Sequence, residues 1–186
     1  MSSFAAKFAA DGDPWSTFSN RDEAVKRAAI LHALGPAPMG RVLELASGNG
    51  SNSRAIAPRV LRLDATEGTA AGTRLTASAI AAWPRARAIE LALPARLPAR
   101  PYDAIVVAEL LYYLSPLDMA RVADCVGKVL RSGGRLVLAH HQVDYYDFAQ
   151  HARGIHERFL EETGCDWRIK VVRRCARWIV SVARKK

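Results

Sequence analysis

The sequence predicts a single α/β domain on a mostly parallel, Rossmann-like sheet of seven strands with helices on both faces. Three observations carry this. Short apolar, β-branched runs alternate with segments of helical period from residue 19 to the end. The first five runs are separated by stretches long enough for a crossover, whereas the last two are joined only by Arg173 to Ala176 and so form an antiparallel hairpin at one edge. The first run ends in a glycine bend, V-L-E-L-A-S-G-N-G-S-N-S at 42–53.

Each element has its own signals. Ser19 and Asp22 resemble a capping pair, Val25, Ala28, Leu31 and Leu34 recur at helical spacing, and Gly35-Pro36 ends that helix. Strands are expected at 41–46, 60–64, 87–92, 103–108, 134–140, 167–172 and 177–183. Pro116 opens a helix with apolar positions at Met119, Val122, Val126 and Val129, and Ser132-Gly133-Gly134 turns the chain into the fifth strand. Residues 1–18 show no clear periodicity but carry Phe4, Phe8, Trp15 and Phe18, so they are expected to form an arm or lid over the core at 19–186.

Composition bounds the function. With 186 residues, 50% of them hydrophobic, the chain can bury one continuous core without staples. It has no apolar run of about eighteen residues and no leader-like start, so a cytoplasmic protein with no membrane partner is expected. Cys125, Cys165 and Cys175 are odd in number and scattered, which reads as reduced thiols. The net charge of +9 comes from 27 basic residues against 18 acidic ones, spread along the chain. The basic C-terminal stretch offers no run of interleaved aromatic residues as a stacking platform, so a solvated basic surface is preferred to a nucleic-acid partner.

Gly48 and Gly50 permit positive backbone angles and leave no side chain between main chain and ligand. In open α/β sheets the ligand lies across the carboxyl ends of the central strands, which makes this bend a cofactor floor. Asp64 closes the expected second strand, 20 residues after Glu44, where an acid commonly accepts hydrogen bonds from ribose hydroxyls. A dinucleotide fingerprint would read G-x-G-x-x-G/A. Here Ser53 takes the last position and Glu44 lies four residues before Gly48, which suits a cationic adenosine cofactor better than a pyrophosphate.

E-L-A-S-G-N-G at Glu44 to Gly50 resembles the E-x-G-x-G-x-G motif of class I S-adenosylmethionine-dependent methyltransferases, with Ala46 replacing the first glycine. L-D-A-T at Leu63 to Thr66, Y-D-A-I-V-V-A-E-L-L-Y-Y-L at Tyr102 to Leu114 and L-R-S-G-G-R-L-V at Leu130 to Val137 agree, so the likeness spans nearly the whole chain. D-P-W at Asp13 to Trp15, E-L-L-Y-Y-L and A-H-H at Ala139 to His141 look similar to the group around the rhizobial nodulation protein S, whose members methylate the amine of a deacetylated chitooligosaccharide. The resemblance implies S-adenosyl-L-methionine as cofactor. It places the methionine part near Glu44, Ala46, Gly48 and Gly50, the ribose on Asp64, adenine beside Ala65 and Thr66, and Ala108 with Glu109 closing the site. Lys26 is then a partner for the cofactor carboxylate. One departure is A-L-P at Ala92 to Pro94, where relatives often carry an acid that binds the adenine amino group.

Methyl transfer is an in-line displacement, so the protein mainly positions the nucleophile and excludes water, and an amine acceptor must first lose a proton. Glu109, Tyr112 and His140 are the candidates for that role. Trp15, Tyr113, His141 and Tyr145 are candidates for substrate contact or lid. His140 and His141 point to opposite faces of a strand, so at most one faces the pocket. No metal site is expected, since His151 and His156 do not share a helical face. The acceptor is expected to be a nitrogen or oxygen of a small molecule, with an amino sugar among the candidates. An RNA or protein methyltransferase is the alternative within the class; A-E-L-L stands where an N-P-P-Y-type motif would sit. A cofactor- or partner-binding module without turnover is the alternative outside it.

Overall fold

The computed structural model describes residues 2–99 and 101–186, with side chains from Phe4 onward. Strands β1 (Met39–Leu45), β2 (Val60–Glu67), β3 (Ala86–Glu90), β4 (Tyr102–Ala108), β5 (Leu130–His141), β6 (Trp167–Arg174) and β7 (Trp178–Lys185) form one sheet in the order β3-β2-β1-β4-β5-β7-β6. Only β7 runs against the others, between β5 and the edge strand β6, so the expected hairpin is present. The chain winds outward from β1 through β2 to β3 and then returns to β4 on the other side of β1. That reversal opens a crevice at the carboxyl ends of β1 and β4.

Alternation along the central strands feeds two cores. Val42, Ala104, Val106 and Val137 pack with Ile30, Ala33 and Leu34 of helix α2 (Arg21–Leu34), with Ile56 of helix α3 (Ser51–Ile56), and with Ile80 at the end of helix α4 (Ala70–Ala79). Leu43, Leu45, Ile105, Val107, Leu136 and Leu138 face Met119, Val122 and Val126 of helix α5 (Pro116–Val129) and Phe159 of helix α6 (Ile155–Glu162). Burial on both faces is why these strands read as nearly continuous apolar runs.

Several sequence boundaries move, each for a local reason. The α2 cap is Asn20, whose side chain accepts from the Asp22 amide. The buried stripe of α2 is Lys26, Ala29, Ile30, Ala33 and Leu34, while Val25 and Leu31 are half turned out and Ala28 is exposed. The shift carries Lys26 onto the inner face. β5 begins at Leu130, so Ser132-Gly133-Gly134 is an irregularity inside the strand, where the β4 register slips between Tyr102 and Ala104. β2 runs three residues past Asp64, and that extension decides the site. The first part of the N-terminal arm is helix α1 (Ser2–Ala10), seen over the crevice. Among the described residues no helix is long and apolar enough to cross a membrane.

Candidate functional site

A cleft of about 600 Å³ opens at the reversal point. Its floor is Ala46 to Asn49 after β1, and one wall is Glu67 to Thr69 after β2 with Leu91 and Leu93 after β3. The other wall is Ala108 to Leu110 and Tyr112 to Leu114 after β4, joined by Glu23 and Lys26 of α2. Phe4, Lys7, Phe8 and Trp15 of the arm and Tyr145 to Phe148 after β5 form the roof.

The floor is a run of left-handed residues: Ala46 at φ 53°, Gly48 at 61° and Gly50 at 83°. Only glycine adopts this conformation freely, and an L side chain there costs about 1–2 kcal/mol. Ala46 therefore holds a position that the backbone assigns to glycine. We expect Ala46→Gly to stabilise the protein by about 0.5–1 kcal/mol after the glycine's added unfolded-state entropy, raising the thermal midpoint by roughly 1–4 °C. A lower midpoint by calorimetry would refute this. Gly50 serves packing: a Cβ there would stand 2.8 Å from the Cβ of Ala79 and from the Cα of Thr76 on α4.

Glu67 is the carboxylate that reaches the cleft. It accepts from the Gly48 amide at 3.1 Å through one oxygen and from the amide and hydroxyl of Thr69 at 3.0 Å through the other. Burial pushes its pKa up, against those bonds. Asp64 corrects the sequence expectation. It lies fully buried away from the cleft, taking Arg87 Nε at 2.6 Å and the Tyr102 hydroxyl at 2.7 Å. Burial alone would raise its carboxyl, but the bonds from Arg87 and Tyr102 and the charges of Arg87 and Arg41 hold it low.

Four more residues assigned by resemblance to the cofactor do not line the cleft. Glu44 is buried beneath the floor and bonded to the Ser53 hydroxyl, its pKa pushed by burial up to about 7. Thr66 donates to the Glu44 carbonyl at 3.1 Å, Ala65 belongs to the α2-side core, and Gly50 sits behind the bend. All three follow from β2 running on to Glu67 and from α3 packing on α4. Lys26, Ala46, Gly48, Ala108 and Glu109 do line the cleft. The ammonium of Lys26 is already bound by Glu23 at 2.8 Å and Glu109 at 2.5 Å, so a cofactor carboxylate would have to compete for it. Burial works against its charge, and the two carboxylates overcome this and raise its pKa.

Glu109 is the third non-glycine residue with a left-handed backbone, φ 52°. Its carboxylate receives Lys26, the Tyr112 hydroxyl and, at 3.3 Å, the His141 amide. Strain of this kind gathers where the surrounding structure holds a functional group in place. Tyr112 stacks on Phe148 with centroids 3.7 Å apart, Tyr113 meets Phe4 edge-on at 5.0 Å, and His141 meets Tyr145 at 5.7 Å. Trp15 packs on Phe8 at 5.4 Å, while Asn49 ties the arm to the bend by donating to Asp13 at 2.8 Å. The cleft thus gathers Glu109, Tyr112, Tyr113, His141, Trp15 and Tyr145. His140 is the correction: fully buried, it points away from the cleft, with His141 on the cleft side.

Sequence reasoning missed Glu67, Asn49, Thr69 and Phe148. The available signal for Glu67 was E-G-T at Glu67 to Thr69, an acid before a glycine and a helix cap; Thr69 does cap α4 by accepting from the Gly72 amide. Among the described residues no group of three or more His, Cys, Asp or Glu side chains is placed to hold a metal ion.

No protein-family model matches the chain, and no curated protein matches its sequence. Solved structures do resemble it. The N-methyltransferase NodS from Bradyrhizobium japonicum WM9, in complex with S-adenosyl-L-homocysteine, has a TM-score of 0.86 at 20% identity over 99% of this chain and 97% of that one. The DhpI complex with S-adenosylhomocysteine gives 0.78 at 18% identity over 99% and 94%. Phosphoethanolamine N-methyltransferase 1 from Haemonchus contortus gives 0.76 at 16% identity over 99% of this chain and 48% of that one. At these identities the likeness establishes the fold.

Proposed function

From the class I methyltransferase fold that these neighbours establish for the chain, we propose that it is an S-adenosylmethionine-dependent methyltransferase acting on a nitrogen or oxygen of a small molecule. The observation that carries the reading is Glu67, a buried carboxylate at the end of β2 beside the Gly48 amide, in a cleft of about 600 Å³ at the reversal point of the sheet. The residues fit the cofactor. Glu67 would take the ribose hydroxyls, Leu91 and Leu93 offer apolar contact for adenine, and the bare floor at Gly48 admits the methionine end.

When bound, S-adenosylmethionine would supply an electrophilic methyl group on a sulfonium, open to in-line attack by an acceptor lone pair, with the carbon–sulfur bond breaking to leave the neutral thioether S-adenosylhomocysteine. The chain's own residues position that acceptor and exclude water. The arm's Phe4, Phe8 and Trp15 cover the cleft, and Tyr113, Tyr145 and Phe148 provide flat faces on which a sugar ring can stack. Glu109, fixed by Lys26 and Tyr112, stands at the cleft as the carboxylate that accepts or steers the proton of an acceptor ammonium. Nitrogen transfer is favoured because two of the neighbours above are N-methyltransferases, and an amino sugar is the leading acceptor class because the acid Asp147 and aromatics share the roof.

The test is methyl transfer from labelled S-adenosylmethionine to a panel of amines and hydroxyls beginning with glucosamine and deacetylated chitooligosaccharides. Binding of S-adenosylhomocysteine with no methyl loss across the panel would turn the reading toward a binding module. We further expect Glu109→Gln to lower kcat roughly 30- to 100-fold while the S-adenosylhomocysteine Kd stays within about threefold; unchanged kcat would remove Glu109 from the chemistry.

A further inference from the structure

Behind Glu109 lies a buried polar chain that the cleft does not use. The amides of Leu110 and Leu111 both point at His140 Nε2, at 3.3 and 3.2 Å. His140 Nδ1 faces His156 Nε2 at 3.0 Å, and His156 Nδ1 faces the Ser181 hydroxyl at 2.5 Å. Both rings and the serine are buried.

Backbone amides can only donate, so His140 Nε2 carries no proton and the ring's one hydrogen is on Nδ1. That hydrogen requires His156 Nε2 to be bare, which puts the second ring's hydrogen on Nδ1, donated to Ser181. The backbone of two leucines thus fixes the tautomers of two histidines on β5 and α6, anchored on β7. The neighbouring charges agree with neutral rings: burial first, then His156, Lys26 and His141, disfavour protonation of His140, and burial and Arg174 disfavour that of His156.

We infer that His140 is a positioning residue for Glu109: its ordered ring grips the two amides that follow Glu109 and so keeps that backbone left-handed, with the carboxylate turned to Lys26 and Tyr112. The Glu109 amide donates to the Ala139 carbonyl at 2.9 Å, so three successive amides, 109 to 111, are pinned to residues 139 and 140 of β5. A left-handed glutamate has no local reason to stay so, and this grip supplies one. The inference rests on the cleft being the methyl-transfer site.

The test uses the full chain. Nitrogen-15 spectra of the imidazoles should show both histidines neutral with the hydrogen on Nδ1 from pH 8 to pH 6. Exchange of the Leu110 and Leu111 amides should accelerate at least about tenfold in His140→Leu and return to within about threefold of wild type in His140→Gln, whose side-chain oxygen can take the place of Nε2. With S-adenosylmethionine and glucosamine as probes, kcat should fall in His140→Leu with KM within about threefold, and recover in His140→Gln. Should His140→Leu fail to fold, Ser181→Ala should still speed exchange at both amides. An Nε2–H tautomer, unchanged exchange in His140→Leu (or in Ser181→Ala where the leucine variant does not fold), or a glutamine variant as impaired as the leucine one overturns the inference. A wild-type protein that binds no S-adenosylhomocysteine sinks the methyl-transfer reading instead, and the tautomer and exchange results still decide this one.

Discussion

Glu67→Gln is expected to lose most of the thermal shift that S-adenosylhomocysteine gives the wild-type protein, while Asp64→Ala keeps it. A ligand at a hundred times its Kd adds about 2.7 kcal/mol, or roughly 5–11 °C for a domain of this size. Replacing the carboxylate by an amide removes charge-assisted bonds to two hydroxyls and turns an NH2 toward either the Gly48 or the Thr69 donors, a loss of about 2–3 kcal/mol in ligand binding. Kd then rises roughly 30- to 150-fold, and the same ligand concentration adds under about 1 kcal/mol. Asp64→Ala has the opposite signature. It strands the buried Tyr102 hydroxyl and frees Arg87, which is 55% exposed and so partly screened. A stability loss of about 2–3 kcal/mol is expected, with the ligand shift intact. Equal shifts for Glu67→Gln and wild type, or a lost shift in Asp64→Ala, would return the ribose to Asp64.

The second large effect is a change in the pH profile of stability on Glu44→Gln. Burial raises the Glu44 pKa from 4.5 to about 7. Its stabilising contribution is therefore complete below pH 4.5 and lost as pH rises through about 7, a total of about 3 kcal/mol. His140 and His156 run the other way. Burial lowers both, His156 to about 3, so their contribution is present above the ordinary 6.5 and lost as pH falls. The opposed slopes partly cancel in the wild type between pH 7.5 and pH 5. Glu44→Gln keeps the Ser53 bond and removes one slope. It should be about 3 kcal/mol more stable than wild type at pH 7.5 and close to it at pH 5. Urea unfolding across this range measures the difference, and parallel profiles would show that Glu44 is ionised in the folded protein.

The fold class, the parallel strands, the closing hairpin and the glycine bend were all legible in the sequence, because hydrophobic period, crossover length and glycine are local properties of the chain. So were the cleft residues that follow β4, since E-L-L-Y-Y stands directly after an unmistakable strand. What the sequence could not decide was which of two nearby acids ends a strand and which stays inside it. Asp64 and Glu67 are three residues apart, and only the pairing of Leu63 to Glu67 with Ala86 to Glu90 carries β2 far enough to set Glu67 at the cleft and leave Asp64 to Arg87 and Tyr102. His140 and His141 posed the same question on β5: alternation said that one of them turns inward, and the packing of α6 beneath the sheet, bringing His156 to meet it, made it His140. Local pattern determined the elements. Register and the packing of distant elements chose which side chains meet, because those contacts join residues far apart in the chain.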